Sequence, residues 1–187
     1  MTQHNTVLVS SNDATPATLA HWKSEEAAVR ARLSAPGVAS PEQIQGLSGM
    51  EIFEAIFRGE LPFAPIGETA GIWPIQASHG GFIFQGTPSP AFFNPMGTLH
   101  GGWIAMILDS AVGCAVQTTL PATAAYTTAE LKISYIRALT PKVERVRAIA
   151  SVLSAGRQLG FAEARLVDAE GRLYAHASTT CLVMPRR

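Results

Sequence analysis

The strongest pattern of hydrophobic and polar positions is an apolar run that begins directly after two glycines, Gly101 and Gly102. Residues 103–108 are all apolar, and after two polar positions the run continues through residues 111–116. A helix that is apolar on every side is buried on every side, so the run predicts a buried helix after a glycine-rich turn. Asp109 interrupts it. A carboxylate among apolar side chains is costly unless it is paired, hydrogen-bonded or protonated, so Asp109 is a candidate functional residue. The alternative is an aspartate at an exposed break in the packing.

Shorter segments of alternating polarity flank this helix and predict two strands before it and four after it. Because short connections favour antiparallel neighbours, we expect strands that follow one another to pair. Only a sheet that wraps the helix can hide all its faces, which predicts an α+β hotdog fold, with an antiparallel sheet around one long buried helix. The predicted strands span residues 71–77, 81–86, 126–136, 143–153, 159–167 and 173–183.

The first 47 residues are interpreted as an N-terminal extension, and residues 48–187 as the hotdog domain. Residues 1–14 are polar without periodicity, which predicts disorder. Thr15-Pro16 is a helix-start signal for an amphipathic helix that ends near Ala35 and packs either on the domain or on a partner subunit. The pattern then predicts a linker at 36–48, a second helix after Ser48, and loops at 61–70 and 88–93.

Composition and charge argue against nucleic-acid binding, secretion and membrane insertion. Hydrophobic residues make up 47% of the 187, and the 14 basic and 14 acidic side chains cancel, so nothing supports nucleic-acid binding. Cys114 and Cys181 are far apart in apolar surroundings, as expected of packing residues in a reducing compartment. The N-terminus lacks the basic start and apolar stretch of a signal peptide, and Asp109 breaks the longest apolar run before it could span a bilayer. A cytoplasmic protein is the expectation, without a membrane partner.

The segment 94–113, with Asn94, His100-Gly101-Gly102 and Asp109, closely resembles the hotdog-fold acyl-CoA thioesterases. It is most similar to the phenylacetate-pathway type within the 4-hydroxybenzoyl-CoA thioesterase superfamily. The resemblance extends to the strand at 127–135 and covers roughly residues 48–184. It implies hydrolysis of an acyl- or aryl-CoA to the free acid and coenzyme A, with no cofactor. It also implies homodimers with shared active sites, often paired into homotetramers.

Three of the matching residues suit thioester chemistry. The first N–H groups of a helix have no intrahelical partner and, with the helix dipole, favour negative charge, so Gly101 and Gly102 could stabilise a thioester oxyanion. The alternative is a helix start whose glycines serve only packing. The resemblance makes Asp109 the catalytic carboxylate, either as a nucleophile that forms an anhydride or as the general base on a water. The sequence does not choose between these two roles.

The resemblance assigns four further residues. Asn94 would position the thioester carbonyl or the attacking water, although an Asx-turn before Pro95 is a rival interpretation. Thr128 would hold a water or orient Asp109, unless it is a structural strand threonine. His100 would orient the helix start and could also touch the substrate. Arg157, after the turn at Gly156, is a candidate contact for the phosphates of coenzyme A.

Other features leave alternatives open. Trp103, Met106 and the loop 88–93 are candidates for the acyl pocket, and they suit aryl and medium-chain groups equally. A hotdog hydratase or dehydratase would need a histidine and an acid placed together, which the sequence does not show. A non-catalytic acyl-CoA-binding protein is the rival from another class. The five histidines, His4, His21, His79, His100 and His176, lack metal-ligand spacing, and His79-Gly80-Gly81 is interpreted as a turn.

Helix geometry predicts that the active site is shared between two subunits. Asp109 follows His100 by nine residues, which is about 13 Å along a helix and on roughly the opposite side. Reacting groups must lie within about 3 Å of each other, so one helix cannot bring its own Gly101 and its own Asp109 to one thioester. A second helix, antiparallel across a two-fold axis, can supply the missing group.

Overall fold

The computed structural model of the chain describes residues 15–186, and the segment 1–14 predicted to be disordered lies outside the described residues. The helices are α1 (Thr15–Arg30), α2 (Pro41–Ile44), α3 (Gly49–Phe57), α4 (Pro65–Ala70) and α5 (Gly101–Gln117), with one 3-10 turn at Pro90–Phe92. The strands are β1 (Ile72–Ser78), β2 (Gly81–Gly86), β3 (Ala124–Tyr135), β4 (Val146–Ala155), β5 (Leu159–Asp168) and β6 (Leu173–Pro185). No helix among the described residues is long and apolar enough to cross a membrane.

The six strands form one antiparallel sheet in the order β1-β2-β4-β5-β6-β3, and α5 packs against it, which confirms the predicted α+β arrangement. The expectation that β3 pairs with β4 is wrong, because β3 pairs with β6 at the edge of the sheet and β4 pairs with β2. The connection at 136–145 is long enough to cross the end of the sheet. Tight turns join β4, β5 and β6 and hold them as neighbours.

One stripe of α5 is less buried than the rest of the helix. The sheet side of α5 is buried through Trp103, Ile104, Ile107, Leu108, Ala111, Val112, Ala115 and Val116. Of the other positions, Gly113 is buried, Gly102 is exposed, and the rest are only partly buried: Gly101, Ala105, Met106, Asp109, Ser110, Cys114 and Gln117. Their spacing of three or four residues places them on one helix face. Asp109 therefore lies on the face of α5 that the described chain covers least.

The N-terminal helix α1 packs on the outer face of the sheet, opposite α5. Gln85 of β2 is fully buried there, and its Nε2 donates to Glu26 Oε2 at 2.7 Å and to the Trp22 carbonyl oxygen at 3.1 Å. Arg145 Nε donates to the same carboxylate oxygen at 2.9 Å, and Arg147 Nε donates to Gln85 Oε1 at 2.8 Å. The paired charges make the burial of Glu26 tolerable and attach α1 to its own sheet.

Two short helices appear where the sequence predicted a linker and a loop. In the linker, Ser40 and Gln43 form a capping box that starts α2. In the predicted loop, Pro65 occupies the first turn of α4, and Gly71 ends it with a left-handed φ of 66°. A proline at the start and a glycine after the end are helix signals, and the interpretation of this stretch as a loop overlooked them.

Candidate functional site

His100 caps the N-terminus of α5. Its backbone is extended, with φ −64° and ψ 136°, and its ring Nδ1 accepts a hydrogen bond from the Gly102 N–H at 2.8 Å. A β-carbon on Gly102 would lie 2.9 Å from the same ring nitrogen, which explains why glycine follows in the first turn. The Gly102 N–H, proposed from the sequence as a substrate contact, is therefore already bonded within the chain.

Gly101 has the free N–H group of the first helical turn. The Trp103 N–H donates to the His100 carbonyl oxygen at 3.0 Å, whereas the Gly101 N–H has no hydrogen-bond partner within residues 15–186. The Gly101 carbonyl oxygen accepts from Tyr135 Oη at 3.1 Å, which ties the helix start to the end of β3. A free N–H at a helix N-terminus, with the helix dipole behind it, is suited to a negatively charged oxygen.

Gly101 opens into a surface groove, here called the helix-start groove. The groove is lined by Leu99–Gly102, Ile104 and Tyr135–Leu139. Arg137 is exposed in this lining and brings a positive charge close to the helix N-terminus. The helix-start groove therefore combines a free N–H, a helix dipole and a guanidinium, all of which favour an anionic or strongly polarised ligand.

Asp109 lies in the wall of a largely apolar cavity of about 270 Å³, here called the Asp109 cavity. Within the described chain, Asp109 is the one Asp, Glu, Lys, Arg or His side chain in this lining. Thr128 of β3 donates from Oγ1 to Asp109 Oδ1 at 3.0 Å. The full lining consists of Phe53, Ile56, Phe57, Phe63, Ala64, Ile66, Gly67, Ile72, Pro74, Phe82, Phe84, Asp109, Ser110, Cys114 and Tyr126.

The polar neighbours of Asp109 are protonated or already engaged at neutral pH. Burial, and then the negative charge of Asp109, raise the pKa of the Cys114 thiol to about 12. Burial also raises the pKa of the Tyr126 phenol well above its usual range. Ser110 Oγ donates to the Met106 carbonyl oxygen at 2.9 Å. A thiol with such a pKa is a poor nucleophile, so Asp109 is the group in this cavity that can accept a proton or attack a carbonyl carbon.

Asn94 is occupied by its own loop. Its Oδ1 accepts from the N–H groups of Met96 and Thr98 at 3.0 Å and 3.2 Å, and its Nδ2 donates to Thr98 Oγ1 at 2.9 Å. These are the bonds of an Asx-turn, the rival interpretation from the sequence. Asn94 is absent from the described linings of the helix-start groove and the Asp109 cavity. In this structure it shapes the loop that leads to α5.

Arg157 lies at the turn between β4 and β5, away from the start of α5 in the same chain. It is exposed, and a shallow surface hollow there is lined by Arg157 and Gln158. Nearby, Gly160 lies against the side chain of Val116, close to the C-terminal end of α5. The structure therefore places Arg157 at the opposite end of α5 from Gly101.

The remaining histidine motif forms a turn, as predicted. His79 and Gly80 connect β1 and β2, and Gly80 has a left-handed φ of 76°. Among the described residues, no group of three or more His, Cys, Asp or Glu side chains could hold a metal ion.

The two parts of the candidate site face different hollows. The helix-start groove and the Asp109 cavity have no lining residue in common among those described. Gly101 and Asp109 are eight residues apart on one continuous helix, which corresponds to about 12 Å along its axis. One copy of the chain therefore does not bring the free N–H and the carboxylate to a single reacting atom.

Several residues that shape the site escaped the sequence interpretation. The Asp109 cavity is lined by phenylalanines of α3, of the segment after it and of β2, not by Trp103, Met106 or the loop 88–93. Instead, Trp103 is buried and its Nε1 donates to the Ala70 carbonyl oxygen at 2.8 Å. A capping box of Ser48 and Glu51 marks α3 in the sequence, but nothing in the sequence shows that α3 lines the cavity at Asp109.

Comparison with known proteins gives one family match. Residues 96–175 match the model of the thioesterase superfamily. No protein with a curated description matches the chain. The solved structures that resemble it include a thioesterase family protein from Silicibacter pomeroyi, 26% identical over 65% of this chain and 90% of that protein, with a TM-score of 0.61.

Two further structures are connected by name with phenylacetic acid degradation. A degradation-related protein from Ralstonia eutropha is 27% identical, over 70% of this chain and 98% of that one, with a TM-score of 0.64. A mutant of the degradation protein PaaI from Thermus thermophilus is 25% identical, over 63% of this chain and 97% of that one, with a TM-score of 0.57. The similarities confirm the predicted hotdog fold, and they leave about a third of this chain without a counterpart in these proteins.

Proposed function

We propose that the chain, whose residues 96–175 match the thioesterase superfamily, is an acyl-CoA thioesterase that hydrolyses an acyl- or aryl-CoA to the free acid and coenzyme A. The proposed reaction needs water and no cofactor. Cys114 and Cys181 are both free thiols, which supports a reducing, cytoplasmic location.

The observation that carries this proposal is the setting of Asp109. One carboxylate, held by the hydroxyl of Thr128, projects into an apolar cavity whose other polar groups are a hydroxyl, a phenol and a thiol. An apolar cavity accommodates an acyl group, and a single oriented carboxylate beside it can act as a nucleophile or a general base. A hydratase would require a histidine beside the acid, and the described lining contains none.

The free N–H of Gly101 supplies the second half of the proposed mechanism. The thioester carbonyl oxygen would accept a hydrogen bond from this N–H at the positive end of α5, and the bond would strengthen as the oxygen becomes negative. Asp109 would either attack the carbonyl carbon to form a mixed anhydride or remove a proton from an attacking water. In both routes the carbon–sulfur bond breaks, the thiol of coenzyme A leaves with a proton, and water supplies the new oxygen of the acid.

The two halves would meet in a homodimer with shared sites. Within the described chain, β3 pairs with β6 on one edge only, so its other edge is free to pair with a second copy. If two β3 strands pair antiparallel about Leu131, the exposed Glu130 of one copy opposes the partner's Lys132, an attractive cross-strand pair. Such pairing brings the Tyr135 end of one strand, bonded to Gly101, beside the Thr128 end of the other, bonded to Asp109. Homotetramers formed by two such dimers complete the proposal.

We expect two arginines to contact the phosphates of coenzyme A. Arg137 lies in the helix-start groove of the chain that provides Gly101. Arg157 lies near the C-terminal end of α5, and an antiparallel partner helix turns that end toward the start of the first helix. Guanidinium groups bind phosphate oxygens through paired N–H donors, so both suit a ligand with several phosphates.

A thiol-release assay over acetyl-, butyryl-, octanoyl-, benzoyl- and phenylacetyl-CoA tests the proposed activity. We expect turnover of at least one thioester above the rate of the uncatalysed reaction. Isothermal titration with the same compounds provides the comparison. If every compound binds and none is hydrolysed, the chain is an acyl-CoA-binding protein and the proposed activity is wrong.

Replacement of Thr128 by valine is expected to lower kcat by about tenfold or more with a nearly unchanged KM. Valine keeps the shape of threonine but removes the hydroxyl that donates to Asp109 Oδ1, and hydrogen bonds to charged groups contribute roughly 1.5–3 kcal/mol. Thr128→Ser retains the hydroxyl and is expected to keep most of the rate. Equal kcat values for the serine and valine variants would show that this hydrogen bond does not orient the carboxylate.

A further inference from the structure

Tyr126 separates two hollows of the protein. Tyr126 lines the Asp109 cavity. It also lines a second hollow of about 220 Å³, here called the rear groove, which lies between α3, the C-terminal end of α5 and the start of β3. Among the described linings, Tyr126 is the one residue common to both hollows. The rear groove is lined by Ile44, Ile52, Gln117, Leu120, Ala124, Ala125, Tyr126 and Arg186.

The position of the Tyr126 ring is fixed by a glycine of α5. A β-carbon on Gly113 would lie 2.6 Å from Tyr126 Oη and 3.0 Å from Cε2, so the ring lies directly on bare helix backbone. The strand that carries Tyr126 is paired with β6, where Val183 is its partner. Held by strand and helix, the ring is a rigid wall, and burial raises the pKa of its phenol so that the wall is uncharged at neutral pH.

The rear groove is suited to an alkyl chain. Its lining is mainly aliphatic, from Ile44, Ile52, Leu120 and two alanines of β3. The guanidinium of Arg186 is engaged through Nη1, which donates to the Leu47 carbonyl oxygen at 2.8 Å and to the Ile44 carbonyl oxygen at 3.4 Å. The groove therefore offers apolar surface that continues the Asp109 cavity beyond the tyrosine ring.

We propose that Tyr126 is a specificity-determining residue that limits the length of the acyl group. This rests on the proposed thioesterase function and names its substrate class as compact acyl groups. The Asp109 cavity, at about 270 Å³, is smaller than the roughly 300–1,000 Å³ of pockets for drug-sized ligands. The tyrosine ring ends this cavity, so a longer chain meets the ring before its thioester reaches the helix start. A smaller residue at this position joins the cavity to the rear groove and admits longer chains.

The test is a ladder of straight-chain acyl-CoAs from acetyl to dodecanoyl, measured by thiol release for the wild type and for Tyr126→Ala, Tyr126→Leu and Tyr126→Phe. For the alanine variant, we expect the ratio of kcat/KM for dodecanoyl-CoA over butyryl-CoA to rise at least about tenfold, the scale on which hydrophobic pockets discriminate chain length. Tyr126→Leu shows the same change to a smaller extent and carries the test if the alanine variant does not fold. Tyr126→Phe keeps the ring and therefore the wild-type length profile.

Tyr174→Leu is a matched control, because it removes another buried tyrosine ring, from a position outside both hollows. It is expected to lower the melting temperature without changing the length profile. Suppose that the wild type hydrolyses thioesters and that Tyr126→Ala and Tyr126→Leu keep its length profile. That result overturns the length limit at Tyr126, and the thioesterase function stands. If the wild type hydrolyses nothing, binding of dodecyl-CoA thioether decides. Tighter binding to Tyr126→Ala than to the wild type supports the length limit, and equal binding overturns it.

Discussion

Replacement of Asp109 by asparagine is expected to lower kcat by about a hundredfold or more, the scale on which enzymes lose a general acid–base group. Asparagine keeps the size of the side chain and an oxygen that can accept from Thr128 Oγ1, but it can neither attack a carbonyl carbon nor take a proton from water. The rate loss corresponds to about 2.7 kcal/mol or more of transition-state stabilisation. The substitution makes the acceptor of the Thr128 hydrogen bond neutral but also removes a charge from an apolar wall, so the melting temperature should stay close to that of the wild type. Thiol release and a thermal melt measure the two effects.

Asp168→Asn is the matched control for this prediction. Asp168 is buried in the same fold, where its carboxylate accepts from Tyr174 Oη and Arg172 Nε, both at 2.8 Å. It lines neither the helix-start groove nor the Asp109 cavity in the described chain. This variant should lower the melting temperature and leave the kcat of the folded protein near that of the wild type. A near-normal kcat for Asp109→Asn would remove Asp109 from the catalytic role.

The sequence was most informative where one local pattern decides the structure. The predicted bounds of β2 agree with the structure, and α5 begins at Gly101 as the glycine pair before the apolar run indicated. A single carboxylate within that run indicated Asp109 as a functional residue, because no neighbour in the sequence offsets the cost of burying its charge. These inferences needed only residue spacing and the cost of desolvation.

What the sequence did not predict depends on contacts between distant segments. The order of the strands is set by a connection of ten residues, whose path the local pattern does not determine. The apolar wall around Asp109 is assembled from α3, α4, β1 and β2, which precede α5 in the chain, and from β3, which follows it. Tyr126 lies between two hollows because its ring packs on Gly113. The two residues are thirteen positions apart in the sequence, and no helix or strand periodicity predicts that they touch.

The sequence also does not decide which hydrogen bonds form when a polar side chain has several possible partners. Asn94 had two interpretations, a substrate contact and an Asx-turn, and its three hydrogen bonds to Met96 and Thr98 belong to the turn. His100 bonds to the Gly102 N–H and so leaves Gly101 as the free donor. Residue types alone cannot divide a few donors among several acceptors, because the outcome depends on distances within the folded turn.

A mixture of two inactive variants is expected to regain about a quarter of wild-type activity if the sites are shared between subunits. Asp109→Asn removes the carboxylate. Gly101→Val obstructs the helix-start groove with a branched side chain, because a β-carbon at this position would lie 3.3 Å from the Tyr135 ring. After the two variants are unfolded, mixed equally and refolded, about half of the dimers contain one chain of each kind. Each mixed dimer holds one intact site and one site with both lesions, which gives about one quarter of the wild-type sites.

Asp109→Asn mixed with Thr128→Val is the control, because both lesions lie in the same half-site of the same chain. Every site in that mixed dimer is damaged, so its activity should equal the average of its two parents. Thiol release measured before and after refolding gives both results on one scale. If the mixture with Gly101→Val also gives only the average of its parents, each site is built within one chain. In that case the pairing of two β3 edges does not create the catalytic centre.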